Sequence, residues 1–234
     1  MNTPELPPFW ALIPAAGVGS RMAADRPKQY LEVAGKTIIE HSLACFLDHP
    51  QLLGVVVSLA LDDPYWPHLA CAAEPRLQRA EGGRERADSV LNGLLRLSEL
   101  GARDDDWVLV HDAARPNLAR SDLDLLLAEL ASDPVGGLLA VPARDTLKRA
   151  GPDGRVRETV DRATIWQAYT PQMFRLGELQ RALADALLAG VAITDEASAM
   201  EWAGHAPRLI EGRGDNLKVT RPEDLLGLRR LWRV

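Results

Sequence analysis

The residues best suited to chemistry in this chain are Pro14-Ala15-Ala16-Gly17-Val18-Gly19-Ser20-Arg21-Met22, followed by Pro27-Lys28-Gln29-Tyr30. An apolar run, Phe9 to Ile13, leads into them and reads as a buried strand. Small residues then leave backbone N–H groups open to a ligand at close range, and Arg21 and Lys28 set cations beside them. Such a loop suits several negative charges at once, as on a polyphosphate. Two familiar phosphate loops do not fit. G-x-G-x-x-G fails because Met22 stands where the third glycine belongs, and G-x-x-x-x-G-K-[ST] fails because Tyr30 stands where its first glycine would precede Gly35-Lys36-Thr37. Thr37-Ile38-Ile39-Glu40 reads instead as a capping box that opens a helix running to about His49. The alternative for the first loop is an ordinary strand-to-helix turn with surface cations.

Three further segments carry groups of the same kind. Gly82-Gly83-Arg84-Glu85-Arg86-Ala87-Asp88-Ser89 exposes backbone at a helix start, with the Ser89 hydroxyl one turn in; read alone, loop punctuation before a charged first turn is the simpler account. In Val110-His111-Asp112-Ala113-Ala114-Arg115-Pro116, Asp112 ends a buried strand, where a carboxylate can meet a metal, a ribose or a substrate hydroxyl. Arg115 could fork onto a phosphate, and His111 reads as packed beside the sheet. In the Gly212–Thr220 segment, glycines flank a short predicted strand whose Lys218 is either solvated or functional. Asp104-Asp105-Asp106 reads as a solvated charge run, and the scattered tryptophans as core or dimer contacts. Cations converging with one carboxylate, in a chain of net charge −6, fit a nucleoside triphosphate and a second phosphorylated substrate. Phosphoryl or nucleotidyl transfer depends on positioning and on neutralising charge as it moves. No strong nucleophile–base pair is visible, and none is needed if the substrate's own phosphate attacks.

The elements that must position these groups follow an alternating pattern. Phe9–Pro14, Leu53–Leu59, Trp107–His111 and Val135–Val141 read as strands, and Thr37–His49, Arg84–Leu100 and Ser121–Ala131 as helices, the last capped by Ser121. Alternation of this kind predicts an α/β fold, a Rossmann-like and mainly parallel sheet flanked by helices, with ligands beyond the carboxyl ends of its strands. Between about Pro142 and Thr170 the pattern breaks around Gly151-Pro152-Asp153-Gly154, which predicts a hairpin of Leu147–Ala150 and Arg155–Val160. Helices return at Glu178–Ala189 and Asp195–Ala203, and Thr220-Arg221-Pro222-Glu223 reads as a second capping box. One domain over 1–234 with a projecting β-arm at about 142–170 is expected. The negative net charge argues against broad nucleic-acid binding. Cys45 and Cys71 read as buried thiols of a reducing cytoplasm, and Met1 to Pro8 resembles no signal peptide. No apolar run approaches a membrane span.

The segments, taken in order, resemble a known family. The first loop, Arg86-Ala87-Asp88-Ser89 and His111-Asp112-Ala113-Ala114-Arg115-Pro116 are joined by Asp145-Thr146-Leu147-Lys148, Thr159-Val160-Asp161-Arg162 and Thr170-Pro171-Gln172. Thr194-Asp195-Glu196-Ala197 and Asp215-Asn216-x-Lys218-Val219-Thr220 complete the set. The chain is similar, from about residue 9 to residue 230, to the 2-C-methyl-D-erythritol 4-phosphate cytidylyltransferase family. The resemblance implies a sheet of the nucleotide-diphospho-sugar transferase type. It also implies transfer of a cytidylyl group from CTP to 2-C-methyl-D-erythritol 4-phosphate with Mg²⁺ on the triphosphate. It assigns Arg21, Lys28 and Lys218 to catalysis, and Ala15, Ala16, Gly17, Gly83, Arg86, Ser89, Asp112 and Ala113 to the nucleotide. Asp112, Arg115, Thr146, Arg162 and Thr170 fall to the acceptor, and Mg²⁺ is expected mainly on CTP, near Asp112. The arm is implied to embrace a second subunit, so that Arg162 and Thr170 complete a neighbour's site in a homodimer. A ribitol 5-phosphate cytidylyltransferase is the alternative. Two positions depart from the family pattern: Arg84 stands where an acid is common, and Ser20 where a basic residue is common. With the chain ending at Val234, no appended cyclase is expected.

Overall fold

In a computed structural model of the chain, residues 6–17, 22 and 25–234 are described. The elements are, in order, β1 (Phe9–Pro14), β2 (Glu32–Val33), β3 (Lys36–Thr37), α1 (Ile38–Leu47), β4 (Leu52–Leu59), β5 (Leu77–Glu81), α2 (Arg86–Glu99), β6 (Trp107–Val110), α3 (Arg120–Leu130), β7 (Gly136–Pro142), β8 (Leu147–Ala150), β9 (Val156–Val160), β10 (Trp166–Arg175), α4 (Leu176–Leu188), α5 (Glu196–Trp202), β11 (Arg208–Glu211) and α6 (Pro222–Trp232). Seven strands form the main sheet in the order β11-β7-β10-β6-β1-β4-β5. Only β10 opposes the common direction: it is antiparallel to β6 and β7, while the other pairs are parallel.

The central strands are almost wholly apolar because both their faces are covered, with buried Ser58 of β4 satisfied by donating to the Ser89 carbonyl at 2.7 Å. β1 turns Ala11 and Ile13 to one side and Leu12 to the other, β4 divides Val55 and Val57 from Val56, and β6 divides Leu109 from Val108 and Val110. The first set packs with Leu43 and Phe46 of α1 and Leu126 and Leu130 of α3. The second set packs with Leu94 and Leu97 of α2, Leu179 and Leu183 of α4 and Met200 of α5. A third, smaller cluster joins Leu228 of α6 to Val219, Ile38 and Val33, and so fixes the loop that carries Lys218.

Several boundaries differ from the sequence expectation, each for a local reason. The Thr37–Glu40 capping box forms, with the Thr37 amide donating to Glu40 Oε2 at 2.8 Å. Ser121 does not cap α3: Ala119 does, its carbonyl accepting from Asp122 and Leu123, and Ser121 lies within the helix. The C-terminal box is closed by Asp224 rather than Glu223, with Arg221 as the cap residue. Lys218 lies on an irregular loop, not a strand, because β11 ends at Glu211. Cys45 and Cys71 are half-buried, and burial pushes their thiols up to about 12 and about 11. Asp106 is less solvated than expected, accepting from Trp10 Nε1 at 3.2 Å and from the Arg103 amide at 3.0 Å.

The strand β10 was not expected, because Pro171 stands inside it. Its pairing with β7 shifts register between Ala168 and Gln172, which lifts Tyr169, Thr170 and Pro171 out of the ladder. The interruption sits beside the carboxyl end of β6, since Gln172 pairs with Val110. β8 and β9 form the expected hairpin as a separate two-stranded sheet, with Lys148–Ala150 and Val156–Thr159 exposed. The seam between β7 and β10 depends on Gly136, whose φ is +103° and whose Cβ, if present, would lie 2.2 Å from the Met173 carbonyl oxygen. Gly136→Ala is therefore expected to destabilise the fold by roughly 2 kcal/mol or more in urea titration; parental stability would contradict this seam.

Candidate active site

The loops that follow β1, β5 and β6 line a crevice of about 340 Å³. Its lining brings together the first three sequence segments and Lys218: Ala15, Ala16 and Gly17, then Lys28, then Gly83, Arg86 and Ser89, then Asp112 and Ala113. The glycines of the second loop serve close packing first. A Cβ on Gly82 would lie 2.2 Å from Ala16 Cβ, so only glycine lets this loop meet the phosphate-type loop. The Gly83 amide donates to Ser89 Oγ at 2.9 Å, and Ser89 Oγ donates to the Glu85 carbonyl at 3.1 Å. Gly83 N–H is thus engaged within the loop, and Ser89 Oγ retains one acceptor lone pair toward the crevice. The Ala15 amide is engaged too, donating to the Ser58 carbonyl at 2.8 Å. Gln29 braces the first loop by donating to the carbonyls of Ala15 at 2.8 Å and Gly17 at 3.2 Å.

Asp112 is the centre of charge. Lys218 Nζ lies 2.7 Å from Asp112 Oδ2, Arg86 Nε donates to Oδ1 at 3.1 Å, and Arg115 Nε is 3.7 Å from Oδ2. Burial alone would raise the pKa of this carboxyl, but Arg86, Lys218 and Arg115 outweigh burial and hold it well below the usual carboxylate range. Arg86, which the resemblance assigns to the nucleotide, bonds to two carboxylates of the wall. It spans from Asp112 to Glu196, donating to Glu196 Oε1 at 2.6 Å and Oε2 at 3.2 Å. Burial disfavours the charge on Arg86, and the carboxylates of Glu196 and Asp112 more than restore it.

A second cavity, of about 180 Å³, lies behind this wall. Arg86, Asp112 and Lys218 line both spaces, and Arg115, Thr170, Thr194 and Asp195 line the second. Arg115 is held by the Asn216 carbonyl at 2.7 Å and lies over the Tyr169 ring at 4.4 Å. Arg115 Nε and Asn216 Oδ1 are buried and have no hydrogen-bond partner among the described residues. The Thr170 hydroxyl is engaged within the protein: it accepts from the Asp112 amide at 3.1 Å and donates to His111 Nδ1 at 2.9 Å. The other ring nitrogen of His111, Nε2, donates to the Arg115 carbonyl at 3.0 Å, which fixes the tautomer because a carbonyl only accepts.

Not every expected residue gathers here. Lys28 lines the crevice and donates to the Val219 carbonyl at 2.9 Å. Arg21 and Ser20 lie outside the described residues. Thr146 and Arg162 line neither cavity; Arg162 donates to the Arg144 carbonyl at the root of the hairpin. Arg84 stands exposed at the lip of the crevice beside Glu85. Glu196, Gln172 and Gln29 were not singled out as site residues. A buried acid at a helix start reads in sequence like any first-turn glutamate, and a lone glutamine carries no spacing signal.

Burial pushes the His111 pKa down to about 4 from an ordinary 6.5. The unfolded chain takes up a proton that the native state refuses, so this stability is complete above 6.5 and is lost on acidification toward 4. His49, buried beside Asp124, is shifted in the same direction. Urea titrations of the parent should therefore show stability falling from about pH 6.5 to pH 5, and His111→Gln should lose part of that slope; an unchanged slope would contradict the neutral histidine.

The family model described as IspD, 2-C-methyl-D-erythritol 4-phosphate cytidylyltransferase, matches residues 9–229. A protein of that name from Pseudomonas fluorescens (strain SBW25) is 78% identical over 228 residues, covering 97% of each chain. One from Pseudomonas aeruginosa (strain UCBPP-PA14) is 76% identical and covers 98% of each. Among solved structures, a 4-diphosphocytidyl-2C-methyl-D-erythritol synthase superposes with TM-score 0.84 at 42% identity, over 97% of this chain and 99% of that one. The Francisella tularensis 2-C-methyl-D-erythritol 4-phosphate cytidylyltransferase gives 0.82 at 34% identity, over 97% and 100%. With its sheet, its crevice and its motifs in one order, the chain belongs to the 2-C-methyl-D-erythritol 4-phosphate cytidylyltransferase family, the cytidylyltransferases of isoprenoid biosynthesis.

Proposed function

We propose that the chain carries out its family's reaction at the wall between its two cavities, with CTP in the larger and 2-C-methyl-D-erythritol 4-phosphate in the smaller. The observation that carries this reading is that Arg86, Asp112 and Lys218 line both spaces. Two anionic substrates approaching from opposite sides would meet at these side chains. An oxygen of the acceptor phosphate attacks the α-phosphorus of CTP, the bond to the bridging oxygen breaks, and pyrophosphate leaves with its electron pair. The ribitol 5-phosphate alternative is not favoured, since the family model and the relatives above are named for the methylerythritol substrate.

Lys28 and Lys218 neutralise charge as it moves from the attacking phosphate to pyrophosphate, and Arg21, outside the described residues, joins them on its place in the sequence. The amides of Ala16 and Gly17 face the triphosphate. Ser89 Oγ, with one lone pair left, accepts from an amino group such as that of cytosine. Gly83 and Ala15 shape the crevice rather than donate to the nucleotide. Arg115, braced by Asn216 and Tyr169, receives the acceptor phosphate. Thr170 sets Asp112 through its amide.

Magnesium fits as a passenger of the nucleotide. Asp112 is the one carboxylate at the shared wall, it already faces three cations, and no cluster of three or more acidic, histidine or cysteine ligands occurs among the described residues. A Mg²⁺ bound mostly by triphosphate oxygens and water, with at most this carboxylate, suits that donor set. When bound, it neutralises triphosphate charge.

We infer that the hairpin of β8 and β9 reaches a second subunit, where Arg162 completes the neighbour's acceptor site together with Thr146; Thr170, expected to cross with Arg162, lines this chain's own cavity instead, and the exposure of the hairpin and the absence of Thr146 and Arg162 from this chain's cavity linings support that role. We place this homodimer in the cytoplasm; no helix among the described residues is long and apolar enough to cross a membrane.

Lys28→Ala should lower kcat by about a thousandfold in a pyrophosphate-release assay; a parental rate would remove Lys28 from the mechanism. Arg162→Ala should raise KM for the acceptor and leave CTP binding near the parent's. Mixing Lys28→Ala with Arg162→Ala protein should restore activity in heterodimers, and verified heterodimers without rescue would mean a site built within one chain.

A further inference from the structure

Glu196 begins α5 and is 1% exposed, and among the described residues its carboxylate is held by Arg86 alone. An acid at a helix start commonly offsets the helix dipole. That explanation is insufficient here. The Asp195 side chain already accepts from the Ser198 amide at 3.0 Å, and the Ala197 amide donates to Gln172 Oε1 at 2.8 Å. The helix end is served without Glu196, and an exposed acid would serve it equally well. Burying a carboxylate carries a desolvation cost that a specific partner must offset.

We propose that Glu196 is a positioning residue for the transfer reaction, acting through Arg86 on Asp112. The inference rests on the function proposed above. Glu196 grips both terminal nitrogens of Arg86, which fixes the plane of the guanidinium and aims its Nε at Asp112 Oδ1, 3.1 Å away. The grip is itself anchored. Gln172 Nε2 donates to Asp195 Oδ2 at 2.9 Å, and Gln172 pairs in the sheet with Val110, two residues before Asp112. The strand that presents Asp112 and the helix that presents Glu196 therefore share one brace. Glu196 also leaves two carboxylates against the three cations Arg86, Arg115 and Lys218, so that Arg86 is not repelled from the wall.

A double-mutant cycle with Arg86→Lys tests this, because lysine keeps the charge but cannot fork between two carboxylates. Glu196→Gln is expected to lower kcat/KM for the acceptor by about tenfold or more and to lower the melting temperature, while KM for CTP stays within about twofold, a split that a loss of stability alone would not give. In the Arg86→Lys background the same change should add less than about twofold. Multiplying losses would overturn the relay through Arg86, as would parental acceptor turnover in Glu196→Gln. Should Glu196→Gln fail to fold, Glu196→Asp, which keeps the charge and shortens the reach, is measured against the same two outcomes. The proposal and the reading beneath it fail differently: an Arg86→Lys enzyme with parental acceptor turnover would remove the shared wall from the reaction, whereas an impaired Arg86→Lys beside an unaffected Glu196→Gln would remove Glu196 alone.

Discussion

The site depends on one carboxylate that must stay ionised in a nearly closed environment. Asp112 is 7% exposed, and burial by itself favours its neutral form. Lys218, Arg86 and Arg115 reverse that preference, and each comes from a different part of the chain. Conversely, those three cations can share so small a region only because Asp112, with Glu196, lies among them. Mutual dependence of this kind makes the loop after β6, the start of α2 and the loop before α6 one electrostatic unit. Removing a member leaves buried charge unpaired, which costs far more than a surface ion pair contributes.

The fold delivers these groups through backbone constraints that have little to do with charge. β10 runs against its neighbours and breaks its ladder beside the end of β6, which turns Thr170 toward the Asp112 amide and His111. His111 is a structural link: held neutral, it ties Thr170 to the Arg115 carbonyl and so joins the two charged residues on either side of the turn. Leu228 and Val219 hold the Lys218 loop from behind, while the Val219 amide donates to the Ala114 carbonyl at 2.8 Å. The two cavities are thus formed by the same few loops, at the strand ends where parallel sheets leave room for ligands.

Much of this was legible in the residues. Continuous apolar runs such as Leu52–Leu59 reveal strands buried on two faces, and the Thr37–Glu40 box marks a helix start by its own hydrogen bonds. β5 escaped notice because Leu77–Glu81 is an edge strand with little apolar character, and β10 because the pairing shift that accommodates Pro171 is a tertiary event. In the site, residue types predicted membership better than contacts. Asp112, Lys28 and Lys218 converge as their charges suggested. The amides of Ala15 and Gly83 and the hydroxyl of Thr170 instead bond within the protein, since spacing cannot say which donors the fold uses for itself. Nothing near Arg86 in the sequence marks its partner, because Glu196 lies 110 residues away.

The central claim is that Asp112 organises the cations at the junction of the two cavities. The direct measurement is steady-state turnover of Asp112→Asn with CTP, Mg²⁺ and 2-C-methyl-D-erythritol 4-phosphate, beside its unfolding in urea. The account predicts loss of turnover by about a hundredfold or more together with a stability loss of roughly 3 kcal/mol, because three cations would face one another without their counter-charge. An Asp112→Asn enzyme with parental turnover and parental stability would contradict it.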